Sequence, residues 1–484
     1  MNPSYPFRLS LAGLLVLATT NLYAEDVATK SHIQTFSRGI QQQEVTENSS
    51  PIQFQRRAII PRPPSKIAVP ITASVKIVDS LKKSSHQPLT RHEKLLISKA
   101  QRYFDKNWNE TTGLIDSVQG YSHTTMWDVA SGIAGLLALE ALAINSQQLT
   151  DFRLEKMLNT LLQLPLYKGV LPNRQYNTLT ALPSGRMSHT PSNGNGWSAL
   201  DLGRLYIWFE ILKQNKPRLG HKIIILQNRW QLERATKNGN LYGTKLTSSK
   251  EYFRQEGRLG YLQYAATGYR LAGLNVDKAF RCENLETTEL NGVSLLTDKG
   301  NLPFFTSDPY LLYAIEIGYK DSCWNQLKQL YQVHKLNAKS ANRLTAYAED
   351  SLSKSPWFLY NNIIYQGVAW QSVSHSGKAT SNSQTFSNKA AFAMSVLFND
   401  DYSQQLANLV VSNSARHAVI PTGLYADGKT NTAYNINTNS LILVSLWYKT
   451  RAQQAILTLL DNKSLQTDIT AHRILDESIK DLKD

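Results

Sequence analysis

The stretch HTTMWDVASGIAGLLALEAL, residues 123–142, decides the reading of this chain. After Asp128 it is apolar on most faces, which fits a helix buried all round rather than one lying on a surface. Its Gly and Ala content permits close approach to neighbouring helices. Four further segments repeat the plan of an acidic residue ahead of an apolar run. They are GNGWSALDLGRLYIWFEIL (194–212, with Asp201), EYFRQEGRLGYLQYAATGY (251–269, with Glu256), FTSDPYLLYAIEIGY (305–319, with Asp308) and LTAYAEDSLSKSPWFLYNN (344–362, with Glu349 and Asp350). Helix starts at long, repeated intervals predict helices whose ends converge.

Working outward, helical spacing begins near residue 89 and recurs at about 123–145, 149–164, 196–214, 219–236, 251–272, 306–318, 321–337, 356–373, 386–399, 401–417 and 434–450. Turn signals such as LPNRQYNTLTALPSG and YADGKTN separate them. The acidic motifs sit on the apolar stretches, whereas TDFRLEKMLNTLLQL and KDSCWNQLKQLYQVHKL between them are more charged. This alternation predicts an all-α fold, an (α/α) toroid of about six helical hairpins in inner and outer layers, spanning residues 89–460. An α-solenoid would leave a fixed repeat period, and none is visible.

The flanks read differently. Residues 1–24 have the form of a signal peptide: Arg8, the apolar run LSLAGLLVLA, and LYA before Glu25. The run is short for a membrane span, so the mature chain is expected in the periplasm or outside the cell, with an uncleaved anchor as the competing reading. Residues 25–88 are polar and Pro-containing, which predicts an extended leader, with a short strand at KIAVPITASVKIV. Residues 461–484 form a charged tail. In an oxidising compartment Cys282 and Cys323 can pair, with two buried thiols as the alternative.

The net charge of +15 raises the question of nucleic acid, but the basic residues are scattered and export argues against it. GLYADGKT (423–430) matches a phosphate loop by letter, yet Pro421 precedes it and NTAYNINTN is a poor first helical turn. No H-E-x-x-H or G-x-S-x-G occurs. No nucleotide, metal or other cofactor is therefore expected.

Carboxylates ringed by aromatic residues at one end of a toroid suit a sugar-processing site. Glycoside cleavage needs a proton donor for the leaving oxygen and a carboxylate as base or nucleophile, and a shared cleft can set two carboxyl groups to those two tasks. Glu256, between Arg254 and Arg258, is the expected acid, and Asp350 or Glu349 the base. Asp128, Asp201 and Asp308 would hold sugar hydroxyls, each with capping as its structural alternative. Asp201 and Arg204 are spaced for a buried pair. Arg204 and Arg258 would bind hydroxyls or carboxylates, and Trp127, Trp197, Tyr261, Tyr310, Trp357 and Tyr425 would wall the cleft.

TGLIDSVQGYSHTTMWDVAS, LPNRQYNTLT, GWSALDLGRLYIW, EGRLGYLQYAATGYRLAG, DPYLLYAIEIGY, LTAYAEDSLSKSPWFLYN and YNINTNSLILVSLWYK, taken in order, resemble the bacterial family of domains of unknown function numbered 3131. The resemblance implies a glycoamylase-like toroid and an envelope glycan hydrolase. It carries over Asp128, Asp201, Glu256, Asp308, Glu349 and Asp350 as the acidic positions. Leu262 departs from it, standing where an acidic residue is expected. Two other functions fit the same residues: a catalytically silent glycan-binding protein serving a polysaccharide assembly system, and a polysaccharide lyase.

Overall fold

The computed structural model describes residues 88–248, 250–298, 304–374 and 376–458. The predicted signal peptide, nearly all of the leader and the charged tail lie outside the described residues. The described residues hold eleven α-helices: α1 (Arg91–Asn107), α2 (Met126–Ala141), α3 (Gln147–Gln163), α4 (Ala199–Asn215), α5 (Gly220–Arg229), α6 (Tyr261–Leu271), α7 (Asp308–Glu316), α8 (Leu327–Ala341), α9 (Asn388–Leu397), α10 (Asp401–Ser414) and α11 (Ile436–Thr450).

Six of them close a ring. α2 packs on α4, α4 on α6, α6 on α7, α7 on α9, α9 on α11, and α11 back on α2. These are the helices whose sequence is apolar on all faces, and their buried residues run almost without a break, as in Met126–Leu139 of α2. Outside the ring, α3 packs on α2, α10 on α9, and α1 against both α11 and α2. Outer helices bury one stripe only: α5 buries just Ile223 and Leu226. That contrast is the physical origin of the two layers. At the α4–α6 crossing glycine is required for close approach. A Cβ on Gly268 would stand 1.9 Å from the Gly203 carbonyl oxygen, and one on Gly203 would stand 2.3 Å from the Ala265 carbonyl oxygen.

The fold is not purely helical. Short antiparallel strands form several two- and three-stranded sheets in the connections. Two segments expected as helix are partly strand. In 251–272, Glu251–Gln255 pairs with Asn240–Leu246, and helix begins only at Tyr261. In 356–373, Phe358–Asn361 is the centre of a sheet between Glu349–Ser351 and Ser372–Ser374. There Gln366 and Gly367, with φ of 49° and 79°, turn a tight hairpin between Ile364–Tyr365 and Val368–Ala369. Aromatic and β-branched residues favour strands, and this turn chemistry outweighed helical spacing. Between α6 and α7 the chain supplies the 285–298 hairpin rather than an outer helix. Cys282 and Cys323 are disulfide-bonded and span this hairpin together with α7.

Candidate active site

Each ring helix brings its N-terminus to one end, and side-chain bonds tie those ends together. Asn437, in the first turn of α11, donates to Asp128 of α2 at 2.9 Å. Lys389, in the first turn of α9, donates to Asp308 at the start of α7. Tyr261, the first residue of α6, donates to Glu349 at 2.8 Å and meets the Thr306 hydroxyl at 2.8 Å.

The densest group of charges surrounds Lys389. Its ammonium contacts Asp308, lies 3.8 Å from an Asp350 oxygen, and donates to the Glu349 carbonyl at 2.7 Å. Asp308 also accepts from Thr306 at 2.8 Å and from the Glu349 backbone N–H at 3.0 Å. All four charged residues are buried, Glu349 being 1% exposed and Asp350 0%. Glu349 and Asp350 lie on strand Glu349–Ser351 rather than ahead of a helix, so their side chains leave on opposite faces.

Glu256 occupies a different setting. Arg174 donates to one oxygen at 2.7 Å and the Ala199 N–H, at the start of α4, donates to the other at 2.6 Å. The carboxylate lies against Gly243, whose absent Cβ would stand 2.0 Å from Oε1. Burial pushes the carboxyl above its usual range, opposed by Arg174 and by the N–H groups of Ala199 and Leu200. The geometry is that of an anion seated on a helix N-terminus.

Asp128 and Asp201 each occupy the third position of a helix. The Thr125 hydroxyl donates to Asp128 at 2.8 Å, and Ser198 to Asp201 at 2.9 Å, while each hydroxyl accepts the N–H of its aspartate. Both are buried capping residues. Arg204 reaches Glu316 at the end of α7 (3.4 Å) and lies 4.6 Å from the centre of the Trp127 ring. Tyr264 donates to the other Glu316 oxygen, and Trp127 packs against Tyr261 and Tyr264. A buried ion pair within an aromatic group thus lies between α2, α4, α6 and α7.

The expected walls divide into core and rim. Tyr310 is fully buried against Phe305 and Trp324, and burial raises its hydroxyl pKa far above the usual value. Trp197 is buried, its indole N–H donating to the Tyr242 carbonyl at 3.1 Å. Leu262 is buried in the first turn of α6. Arg258, Trp357 and Tyr425 are half-buried. The Tyr425 hydroxyl lies 3.0 Å from the Ser353 backbone N and hydroxyl, bracing the turn that carries Trp357. Tyr425 belongs to GLYADGKT, which folds as a hairpin of Gly423–Leu424 and Thr430–Asn431, with helix starting only at Ile436.

The structure therefore gathers Tyr261, Asp308, Glu349 and Asp350 and keeps Glu256 in a separate ion pair. Lys389, Arg174, Glu316 and Asn437 complete these groups without standing out in the sequence. Lys389 and Glu316 had one available signal, a charge inside a helix apolar on all faces, which must find a partner where it is buried. Among the described residues, no group of three or more His, Cys, Asp or Glu is arranged to hold a metal ion.

The family described as "Protein of unknown function (DUF3131)" matches residues 97–452, and the chain belongs to it. No curated protein sequence matches the chain. Among solved structures it resembles a glucoamylase-like protein from Bacteroides fragilis, at 13% identity over 77% of this chain and 96% of that one, TM-score 0.52. It also resembles the endo-β-1,2-glucanase of Chitinophaga pinensis in complex with sophorotriose and glucose, at 10% identity over 76% and 94%, TM-score 0.53. A third is the endo-β-1,2-glucanase of Talaromyces funiculosus in complex with sophorose, at 11% identity over 81% and 88%, TM-score 0.50. These likenesses establish the α/α-toroid fold.

Proposed function

We propose that this protein is an exported glycan hydrolase whose chemistry belongs to the carboxylates around Lys389. The observation that carries the reading is the meeting of the Asp308 and Asp350 carboxylates and the Glu349 backbone carbonyl at one ammonium, with the Glu349 carboxylate held beside them by Tyr261, at the end where the ring helices begin. Glycosidic cleavage needs a proton donor and a base in one site. Glu349 accepts a hydrogen bond from Tyr261, which suits the base that takes a proton from water; Asp350 is assigned as donor, the two carboxyl groups flanking the outer edge of a strand that lies at the edge of its sheet. Asp308 and Lys389 position the strand. Glu256, its oxygens engaged by Arg174 and α4, is a positioning residue in this reading rather than the proton donor. Export is supported by the form of residues 1–24 and by the Cys282–Cys323 disulfide, a bond of oxidising compartments.

The test is reducing-end release from β-1,2-glucan, the polymer cleaved by two of the similar folds, and from a panel of envelope polysaccharides. Wild type, Glu349→Gln and Asp350→Asn are compared. Both variants lose polymer cleavage. On an aryl glycoside with a good leaving group, Asp350→Asn recovers turnover and Glu349→Gln does not, because only the donor becomes dispensable. Full activity in both variants would overturn the assignment.

One observation favours a second reading. Glu349 and Asp350 are sealed from solvent, as suits a silent glycan-binding protein. Glycan binding by wild type with no release from any polymer would select it.

A further inference from the structure

The hairpin of Asn240–Leu246 and Glu251–Gln255 has a strongly basic face. Lys245 pairs with Tyr252 and Gly243 with Arg254, so Lys245, Tyr252 and Arg254 share one side of the ribbon. Lys250, at the turn, lies 4.7 Å from the Tyr252 ring centre, and Arg254 lies 4.3 Å from it. A neighbouring loop adds Arg186. Asn195 donates to the Arg186 carbonyl at 2.7 Å and its own carbonyl accepts the Leu246 N–H at 2.7 Å, fixing that loop beside Lys245. Arg174 lies beneath, donating to the Thr244 carbonyl at 2.9 Å. Arg186, Lys250 and Arg254 are exposed.

The nearby carboxylate, Glu256, is engaged by Arg174 and α4. Glu251 pairs with Lys168 and, opposite Leu246, belongs to the other side of the ribbon. Burial, with the charges of Arg174, Arg186 and Arg254, draws the Lys245 ammonium down to a pKa of about 8. Like charges held this close oppose folding, and such a grouping marks a site that takes a counter-charge.

We infer that this face binds anionic substituents of the glycan, carboxylate or phosphate groups regularly spaced along a polysaccharide chain. The exposed cations meet the anions, and Tyr252 offers a ring between them. The inference rests on the glycan-acting reading above and names its substrate class: an acidic polysaccharide whose backbone enters the ring end while its charged groups lie along this hairpin. The face lies next to the ring end through Glu256, which joins the hairpin to the start of α4.

The test compares the full chain with an Arg186→Gln/Lys245→Gln/Arg254→Gln triple variant. Titration calorimetry is run with polygalacturonate, with a phosphate-substituted glucan, and with neutral glucan of matched length. Wild type is expected to bind at least one acidic polymer at least tenfold more tightly than neutral glucan, and less so as salt rises. The triple variant loses that advantage, keeps its neutral-glucan binding and melts no lower than wild type. The two acidic polymers separate carboxylate from phosphate. Equal binding of acidic polymer by both proteins, or no preference in wild type, overturns the inference. Neutral-glucan cleavage is assayed in parallel. If it is present while the patch variant binds acidic polymer unchanged, the patch inference falls alone. If no polymer is cleaved but acidic binding depends on the three residues, the hydrolase reading falls and the patch stands.

Discussion

Two carboxylate sites near the ring end use the same chemistry to different effect. At Glu256, one carboxylate meets one guanidinium and the N-terminus of α4. At strand Glu349–Ser351, two carboxylates, Asp308 and Asp350, and the Glu349 backbone carbonyl meet one lysine. The first is a closed ion pair that joins the 240–255 hairpin to a ring helix. The second sets two carboxylates against one ammonium, with the Glu349 carboxylate held separately by Tyr261. Burial alone does not separate them, since both are sealed; the ratio of acid to base does.

The largest expected effect breaks the comparison at its centre. Glu349→Gln should lower the kcat/KM of glycan cleavage by about 10²–10⁴-fold, the usual worth of a positioned acid or base, as read from initial rates of reducing-end release. Glu256→Gln should change turnover per folded molecule far less. The reverse ranking would return the chemistry to Glu256.

Matched removals of the two cations sharpen the contrast. Arg174→Met and Lys389→Met each strand a buried carboxylate, so each should cost about 3–5 kcal/mol in denaturant titrations. In the protein that remains folded, only Lys389→Met should also depress turnover. A smaller effect probes α4 directly. Ser198→Ala removes the hydroxyl that accepts the Asp201 N–H at 3.2 Å and should cost about 1 kcal/mol, with no change in kcat/KM.

A pH-dependent effect concerns Asp116, which belongs to neither site. Burial pushes its carboxyl from 3.8 up to about 6, against a hydrogen bond from Thr178. Its folded form therefore holds a proton more tightly than its unfolded form. The contribution to stability is full below pH 3.8 and is lost as pH rises through 6. Melting temperatures of Asp116→Asn and wild type should shift in favour of the variant between pH 4 and pH 7; a constant difference would refute the shift.

Much of the ring was legible because it rests on patterning. A helix buried on every side must be apolar on every side, and α2, α4, α7 and α11 declare this over ten residues or so. Asp128 and Asp201 announced helix starts because capping is local, whereas Asp308 opens α7 without capping it. Glu256 and Glu349 were visible as unusual acids, but their surroundings were not. Arg174 is 82 residues from Glu256, and Lys389 is 81 from Asp308. No local rule links such positions; only closure of the ring does. The strands at 358–374 were misread because WFLYNNIIY satisfies helical and strand spacing alike, and the turn at Gln366–Gly367 decides between them. The disulfide was one of two readings, settled by a Cα–Cα distance of 6.1 Å.

That disulfide bears on when the ring can close. It cross-links residues 41 apart, around the arc where, among the described residues, a hairpin stands in for an outer helix. Loop-closure entropy assigns such a link about 4 kcal/mol. A circular array has no spare end at which to fray, so its weakest arc sets the strength of the whole circuit. On the proposed export route, a chain still in a reducing cytosol has that arc untied, stays easier to unfold, and remains fit for translocation; oxidation on the far side then locks it. The two cysteines would act as a customs seal, applied once the protein has crossed.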